Sequence, residues 1–339
     1  MERNADIATE TSGNPQGVLY ARLSAHATPL SRLVLAGYQH TLRVLRARLP
    51  CDGLAWSDNP VLQLAFDEDE AARQAAVLSA PLPAALLSAV SAAEASEAAG
   101  LPVDRAGVMF PSGGWVHPPA LCRAMLSHPS VEVRASRRVE LQGGTGEWEV
   151  RDGAGLVVRA PVAIVAAGGD SAGFPQTAAL PLRVNRGQLT LLQQTAQSAR
   201  LRAVLCGEGY VAPARAGWHC VGATFARDAS AEVRQLDHAE NLSMLRRLSP
   251  ALFTALGAPS AEDPALAGRA GLRCVSPDYL PVVGPVGEHA RGLFVSTAHG
   301  SRGLITAPLS GEVLAAWLEA EPAPLPEAMM QALHPQRFV

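Results

Sequence analysis

The chain has 339 residues, 48% of them hydrophobic, with 28 basic and 31 acidic side chains, a net charge of −3 and a pI near 6.3. That length and apolar content allow a large buried core and suggest about two domains. The slightly acidic balance excludes bulk electrostatic attraction to nucleic acid.

Every basic residue is arginine, a bias typical of GC-rich coding. Cys51, Cys122, Cys206, Cys220 and Cys274 are odd in number and lack CxxC spacing. They argue against a disulfide framework and a zinc site and read as buried thiols, and no metal site is expected. No apolar run approaches the ~20 residues of a membrane span. The polar opening MERNADIATETSGN lacks the form of a signal peptide. A cytoplasmic protein that does not engage a membrane is expected.

Ser12-Gly13-Asn14-Pro15-Gln16-Gly17 marks an ordered turn. From Thr28 to Leu49, apolar residues at helical spacing end at Pro50 and predict a helix. GLAWSDNPVLQLAF reads as two strands around a turn, and residues 68 to 97 as an Ala-rich helix broken at Pro81 and Pro83. After a turn at 111–114, Pro118 to Ser127 predicts a short helix. VEVRASRRVELQ, GEWEVRD and GLVVRAPVAIVAAGG then predict strands. The run Val162 to Ala167 is continuously apolar, as a buried central strand would be. Three further strands (GQLTLLQ, AVLCGEGYVAP, WHCVGATF) and a helix around His238 to Leu248 follow. Strands and helices alternate without a strict βαβ rhythm, so a mixed α/β (α+β) two-domain protein is predicted.

The most informative stretch runs from Ala270 to Leu318. Its loop, strand-like LFVSTAHG and Gly-Ser-Arg-Gly turn open onto a helix, so backbone N–H groups and a positive helix end converge. Such a point suits an electron-rich ligand edge. Arg273 lies upstream, where a guanidinium can grip a carboxylate, although an arginine there is ordinarily a structural ion-pair residue. Tyr210 reads equally as a half-buried strand aromatic and as a polar contact. His299 and His117 read as structural. Arg43, Arg46, Arg48, Arg246 and Arg247 read as solvated helix faces. A dinucleotide fingerprint would be G-x-G-x-x-G/A between a strand and a helix. The one formal match, Gly207 to Ala212, runs into Pro213 with no helix after it.

Gly271-Leu272-Arg273, Asp278 to Pro285 and His299-Gly300-Ser301-Arg302-Gly303-Leu304 resemble the C-terminal signature of FAD-dependent amino-acid oxidases of the D-amino-acid oxidase and glycine oxidase type. A narrower resemblance, to the oxidoreductase part of the bifunctional MnmC family of tRNA-modifying proteins, rests on VLCGEGYVAPA, on GSRGL with APLSGEVLAAW behind it, and on the ending ALHPQRF. The resemblance implies FAD as cofactor. Its pocket would use Ser12, Gly13, Asn14 and Gly17 in a loop beside the flavin, Glu2 at the ribose and Val139 at the adenine. Ala167 and Gly168 would sit at a strand end, and Gly300, Ser301, Arg302, Gly303 and Leu304 at the flavin's pyrimidine edge. Arg273 and Tyr210 would be the catalytic pair, Arg273 gripping the substrate carboxylate and Tyr210 adding a second contact to the carboxylate or the amine.

It also implies a discontinuous FAD-binding domain (1–50, 111–182 and 266–339) and an antiparallel-sheet substrate domain (51–110 and 183–265). The chain would begin just after the fingerprint unit, making the fold N-terminally truncated by roughly 30 residues, with Met1 an internal or misassigned start. The implied reaction is oxidative removal of the carboxymethyl group from 5-carboxymethylaminomethyl-2-thiouridine at the tRNA wobble position, giving 5-aminomethyl-2-thiouridine and glyoxylate. No segment resembles a methyltransferase and there is no lysine-rich tail, so a separate methyltransferase domain or protein is an expected partner. Two other readings fit the same residues: a free-standing oxidase of glycine or another small amine, and a non-catalytic remnant that does not bind FAD.

Overall fold

The structure is a computed structural model and describes residues 1–26, 28–144 and 146–338. Its largest sheet has eight strands, in the order Ala267–Val275, Arg183–Gln193, Trp218–Gly222, Tyr210–Val211, Val204–Cys206, Val61–Leu64, Gly107–Phe110 and Ser88–Val90. Neighbours run antiparallel except Val204–Cys206 and Val61–Leu64, which are parallel. The longest pairing joins Arg183–Gln193 to Ala267–Val275, with Asn185 opposite Arg273 and Gly187 opposite Gly271. Directly opposed residues put their side chains on one face of the sheet. Asn185, Gly187, Gly271 and Arg273 therefore share a face.

Arg186 and Gln188 point to the other face, under the helix Gln235–Leu248. There Arg186, with no exposure, donates from Nη1 to Asp237 Oδ2 at 2.5 Å and from Nη2 to Gln188 Oε1 at 2.7 Å. Gln188 N–H in turn donates to Thr224 Oγ1 at 3.1 Å. This buried network fixes the register of the strand that lies beside Arg273.

A second sheet pairs Ala163–Val165 in parallel with Leu293–Thr297, which pairs antiparallel with Val282–Pro285. The expectation of a buried central strand at Val162 to Ala167 is corrected here. Only three residues are extended, they pair on one side, and Ile164 is 46% exposed. VEVR at 131–134 is likewise not a strand among the described residues, and the segment 88–90, expected within a helical region, is one. Cys51 is exposed rather than buried, while Cys206, Cys220 and Cys274 are buried.

Two helices position the end of the chain's most informative stretch. Pro29–Arg48 starts at Thr28, whose hydroxyl accepts from Ser31 N–H at 3.1 Å, with proline at its first position and Arg46 and Arg48 at its negative end. Its buried stripe, Leu33, Val34, Gly37, Tyr38, Thr41, Leu42 and Leu45, faces the apolar helix Gly303–Leu318. Pro308 lies inside that second helix and has no N–H to give Leu304 O, four residues back. Thr41 Oγ1 donates to that carbonyl instead, at 2.9 Å. Gly37 makes the approach possible, because a Cβ there would overlap Ile305 O.

Thr41→Val keeps the shape and removes the donor. We predict a loss of about 1–3 kcal/mol from the orphaned carbonyl, read as a lower urea midpoint at unchanged m-value; an unchanged midpoint would show that the bond carries no weight.

Candidate cofactor and substrate site

Three segments meet at the start of the helix Gly303–Leu318. The turn before it reverses the chain through two positive φ angles, Ala298 at 60° and Gly300 at 56°. His299 braces the turn: Thr306 Oγ1 donates to Arg302 O at 3.0 Å, so His299 Nδ1–H donates to Thr306 Oγ1 at 2.9 Å, and Nε2, 3.2 Å from Ser296 Oγ, is left to accept. Burial pushes this imidazole down to about 4, which leaves it neutral at pH 7. A neutral ring with both nitrogens engaged is a strut, as its sequence context suggested. The helix that follows has Arg302 at its N-cap and no side-chain cap, so its first-turn N–H groups are open to a ligand.

The opening loop packs against this turn and against the strand Ala267–Val275. Gly17 lies where a Cβ would overlap Leu304 Cδ1, and Gly13 where one would overlap the Arg269 guanidinium. Arg269 Nη1 donates to Asn14 Oδ1 at 2.6 Å and Nη2 to Thr9 O at 2.8 Å and to Glu10 O. Thr11 Oγ1 donates to Leu272 O at 2.6 Å. Ser12, Gly13, Asn14 and Gly17 are thereby fixed relative to Arg273, four residues along the strand from Arg269. The sequence reading missed Arg269, although its i, i+4 spacing on a strand puts it on the same face as Arg273.

Arg273 is half-buried, and its one side-chain hydrogen bond among the described residues is a long one, Nη1 to Thr224 O at 3.5 Å. It makes no ion pair there. Gly187 leaves the space its guanidinium occupies, since any Cβ would overlap it. Desolvation lowers its pKa and the neighbouring Tyr210 partly offsets this. Tyr210, half-buried in the same sheet, donates its hydroxyl to Gln16 O at 3.3 Å. Burial, with a smaller contribution from Cys220, raises its phenol far above the usual range and keeps it neutral. Gln16 is itself buried and gives Nε2 to Pro213 O at 2.8 Å. The structure therefore brings Arg273 and Tyr210 together and ties both to the opening loop, through Gln16 and Thr11, neither of which was foreseen.

The remaining predicted residues form a second group. Glu2 N–H donates to Arg134 O at 2.9 Å and Arg137 N–H donates to Glu2 O at 2.8 Å, so Glu2 lies beside the segment that carries Val139. Glu2 Oε1 accepts from Asn4 N and Nδ2, leaving Oε2 without a protein donor among the described residues. Arg3 pairs with Asp170, two residues beyond Gly168, and with Glu10 at 2.6 Å, linking this group to the strand end and to the loop. Gly168 adopts φ 57° and its carbonyl accepts from Thr297 Oγ1 at 2.7 Å. Ala167 and Ser301 are exposed, and Arg302 is half-buried with no side-chain partner among the described residues. The formal fingerprint match at 207–212 is a β-hairpin, closed by Gly207 N–H to Gly209 O at 2.7 Å.

The open helix end, the close-packed glycine loop and the free Glu2 oxygen fit a flavin nucleotide. A family model described as FAD dependent oxidoreductase matches residues 1–317. The chain belongs to the FAD-dependent oxidoreductase family. FAD is that family's cofactor. Among curated relatives, the tRNA 5-methylaminomethyl-2-thiouridine biosynthesis bifunctional proteins MnmC of Pseudomonas fluorescens and Chromobacterium violaceum are 47% and 46% identical. Each match covers 100% of this chain and 55% of the relative, so the chain spans about half the length of these relatives.

Among solved structures, the fold is shared with glycine oxidases of Geobacillus kaustophilus (TM-score 0.78, 21% identity, 97% of this chain and 90% of that one) and Bacillus cereus (0.76, 21%, 95% and 90%). An iminodiacetate oxidase from Chelativorans sp. has the same fold (0.74, 22%, 94% and 88%).

Because His299 is held below its ordinary 6.5, its contribution to stability is complete above that pH and is withdrawn as the pH falls toward 4. We predict a loss of at most about 3 kcal/mol across that window, seen in urea midpoints at pH 7 and 4.5. His299→Gln should flatten that part of the profile; an identical pH dependence in the variant would remove His299 from the account.

Proposed function

We propose that this chain oxidises the carboxymethylaminomethyl group of 5-carboxymethylaminomethyl-2-thiouridine at the tRNA wobble position, releasing glyoxylate and leaving 5-aminomethyl-2-thiouridine. The observation that carries the chemistry is Arg273, a partly desolvated guanidinium without a carboxylate among the described residues, next to a neutral phenol and the open end of a helix. The choice of a tRNA over a small amine is supported by 46% identity to MnmC along the whole chain, against a likeness to glycine oxidases at 21%.

The guanidinium pairs with the substrate's terminal carboxylate. Tyr210 supplies a second polar contact whose orientation the Gln16 carbonyl fixes. Together they hold the glycine-like α-carbon in one position, and positioning is the protein's main contribution to such a reaction. Gly300, Ser301, Gly303 and Leu304 would offer backbone N–H groups to the isoalloxazine edge where negative charge develops, with Arg302 adjacent. Ser12, Gly13, Asn14 and Gly17 would line its other side, and Ala167 and Gly168 would close on the cofactor from the strand end. Glu2 would take a ribose hydroxyl and Val139 the adenine. When bound, FAD supplies the acceptor for the hydride leaving the α-carbon. The resulting substrate imine is hydrolysed by water to the aminomethyl product and glyoxylate. His299 takes no proton, and the amine is oxidised in its neutral form.

We assign residues 1–50, 111–182 and 266–339 to a discontinuous cofactor domain and 51–110 and 183–265 to a substrate domain. The sheet of Ala163–Val165, Leu293–Thr297 and Val282–Pro285 and the paired helices support the first, and most of the eight-stranded sheet supports the second. The strand Ala267–Val275 bridges them, belonging to the large sheet while its loop contacts reach the cofactor side. We assign the later methyl transfer to a methyltransferase, as a domain or a protein, outside the 55% of the relatives that this chain matches. No helix among the described residues is long and apolar enough to cross a membrane.

The test is glyoxylate release from tRNA carrying the modified uridine by FAD-loaded protein. Arg273→Ala should lower kcat/KM about 10- to 150-fold, the cost of a charge-assisted bond, with Arg273→Lys between. Oxidation of glycine but not of the tRNA would reassign the site to small amines, and a protein that never takes up FAD would overturn the proposal.

A further inference from the structure

A cleft of about 320 Å³ opens on the sheet face that carries Arg273, lined among others by Arg183, Asn185, Arg227, Asp228, Ser276 and Tyr279. Its position follows from the strand register: Asn185 is directly opposite Arg273, and Arg183 opposite Val275. The cleft is thus one step along the sheet from the carboxylate grip. Asn185 is only 5% exposed, lines the cleft, and its side-chain amide has no hydrogen-bond partner among the described residues. A buried amide left unpaired favours a ligand that can hydrogen-bond to it.

The charge here is net positive although the chain as a whole is at −3. Arg183 and Arg227 are exposed and make no ion pair among the described residues. The carboxylate of Asp228 is already committed, to Arg234 Nη1 at 2.8 Å and Ser230 N at 2.9 Å. Tyr279 presents a 50% exposed ring from a residue at φ 59°, a conformation a bulky side chain adopts only when its surroundings impose it. Those surroundings are on hand. Tyr279 N–H donates to Ser276 O at 3.2 Å, Ser276 Oγ donates to Asp278 Oδ1 at 2.7 Å, and Arg337 Nε donates to Asp278 Oδ2 at 2.8 Å. Phe225, two residues before Arg227, is 57% exposed. A fixed aromatic face flanked by unpaired guanidinium groups is an arrangement that binds single-stranded nucleic acid, the ring by stacking and the cations at the phosphates.

We infer that this cleft receives the nucleotide next to the one oxidised, its base against Tyr279 and its phosphate between Arg183 and Arg227, with Asn185 reading an edge of that base. The inference rests on the tRNA reading above and adds where the RNA is held.

Fluorescence anisotropy with a labelled, unmodified anticodon stem-loop RNA tests it. The double variant Arg183→Ala/Arg227→Ala should bind about tenfold more weakly and lower the slope of log Kd against log salt by at least about 0.7. Tyr279→Ala should weaken binding about fivefold or more with the slope unchanged, and Tyr279→Phe should restore it, because stacking needs the ring and not the hydroxyl. Oxidation of a small N-alkylglycine should be unaffected in all three. RNA binding by the wild type that all three variants match would overturn the cleft alone. Failure of the wild type to bind RNA would overturn both the cleft and the tRNA substrate.

Discussion

The bond from Thr41 to the carbonyl of Leu304 is small, yet the site depends on it. Pro308 frees that carbonyl by withholding an N–H, and a free carbonyl within a buried apolar helix costs stability unless another donor reaches it. Thr41 reaches it because Gly37, one turn earlier, lets the two helix backbones come close. The pairing sets both the rotation and the height of the helix Gly303–Leu318. Its N-terminal end consequently lies against the opening loop, with Leu304 beside Gly17, and the turn before it lies against the strand that carries Arg273. A helix end is a useful anion site only if it is aimed, and here the aim comes from a defect in the helix itself.

The two arginines on the adjoining strands of the large sheet separate a compensated charge from an uncompensated one. Arg186 is entirely buried and has a carboxylate, an amide oxygen and a backbone carbonyl around it. Its charge is compensated, and it secures the strand to the helix Gln235–Leu248. Arg273 faces the opposite side of the same sheet with one long bond to a carbonyl and no counter-ion among the described residues. A partly desolvated guanidinium in that condition is poised to gain from a carboxylate more than a solvated one would. Arg269, between the two in role, spends its donors on the opening loop and so converts strand position into loop position.

Much of this was legible in the sequence. The helix expected from Thr28 to Leu49 and the Gly-Ser-Arg-Gly turn before a helix follow from spacing and turn residues, and the structure has them; the segment AVLCGEGYVAP, read as one strand, is instead two short antiparallel strands, Val204–Cys206 and Tyr210–Val211. The family resemblance supplied the pairing of Arg273 with Tyr210, which lie 63 residues apart (273 − 210) and are related through sheet pairing and the opening loop. The clearest misreading has a physical cause. The apolar run at Val162 to Ala167 was read as buried because hydrophobicity reports what a strand can cover, whereas exposure depends on how many neighbours it pairs with, and here there is one. Arg269 had a signal in its i, i+4 spacing from Arg273, but the supporting residues Gln16, Thr224 and Gly187 carry no local one. Their roles arise from backbone carbonyls and empty volume supplied by distant segments.

One measurement bears most directly on the central claim, that an open helix end and an unpaired Arg273 form a single site for flavin and a glycine-like substrate. The protein is loaded with FAD, freed of oxygen, and its visible flavin band followed on adding tRNA with the carboxymethylaminomethyl uridine, then tRNA with the aminomethyl uridine. The account predicts bleaching by the first and none by the second, because only the first carries the carboxylate that Arg273 grips. Bleaching by both alike, or by neither, would contradict it.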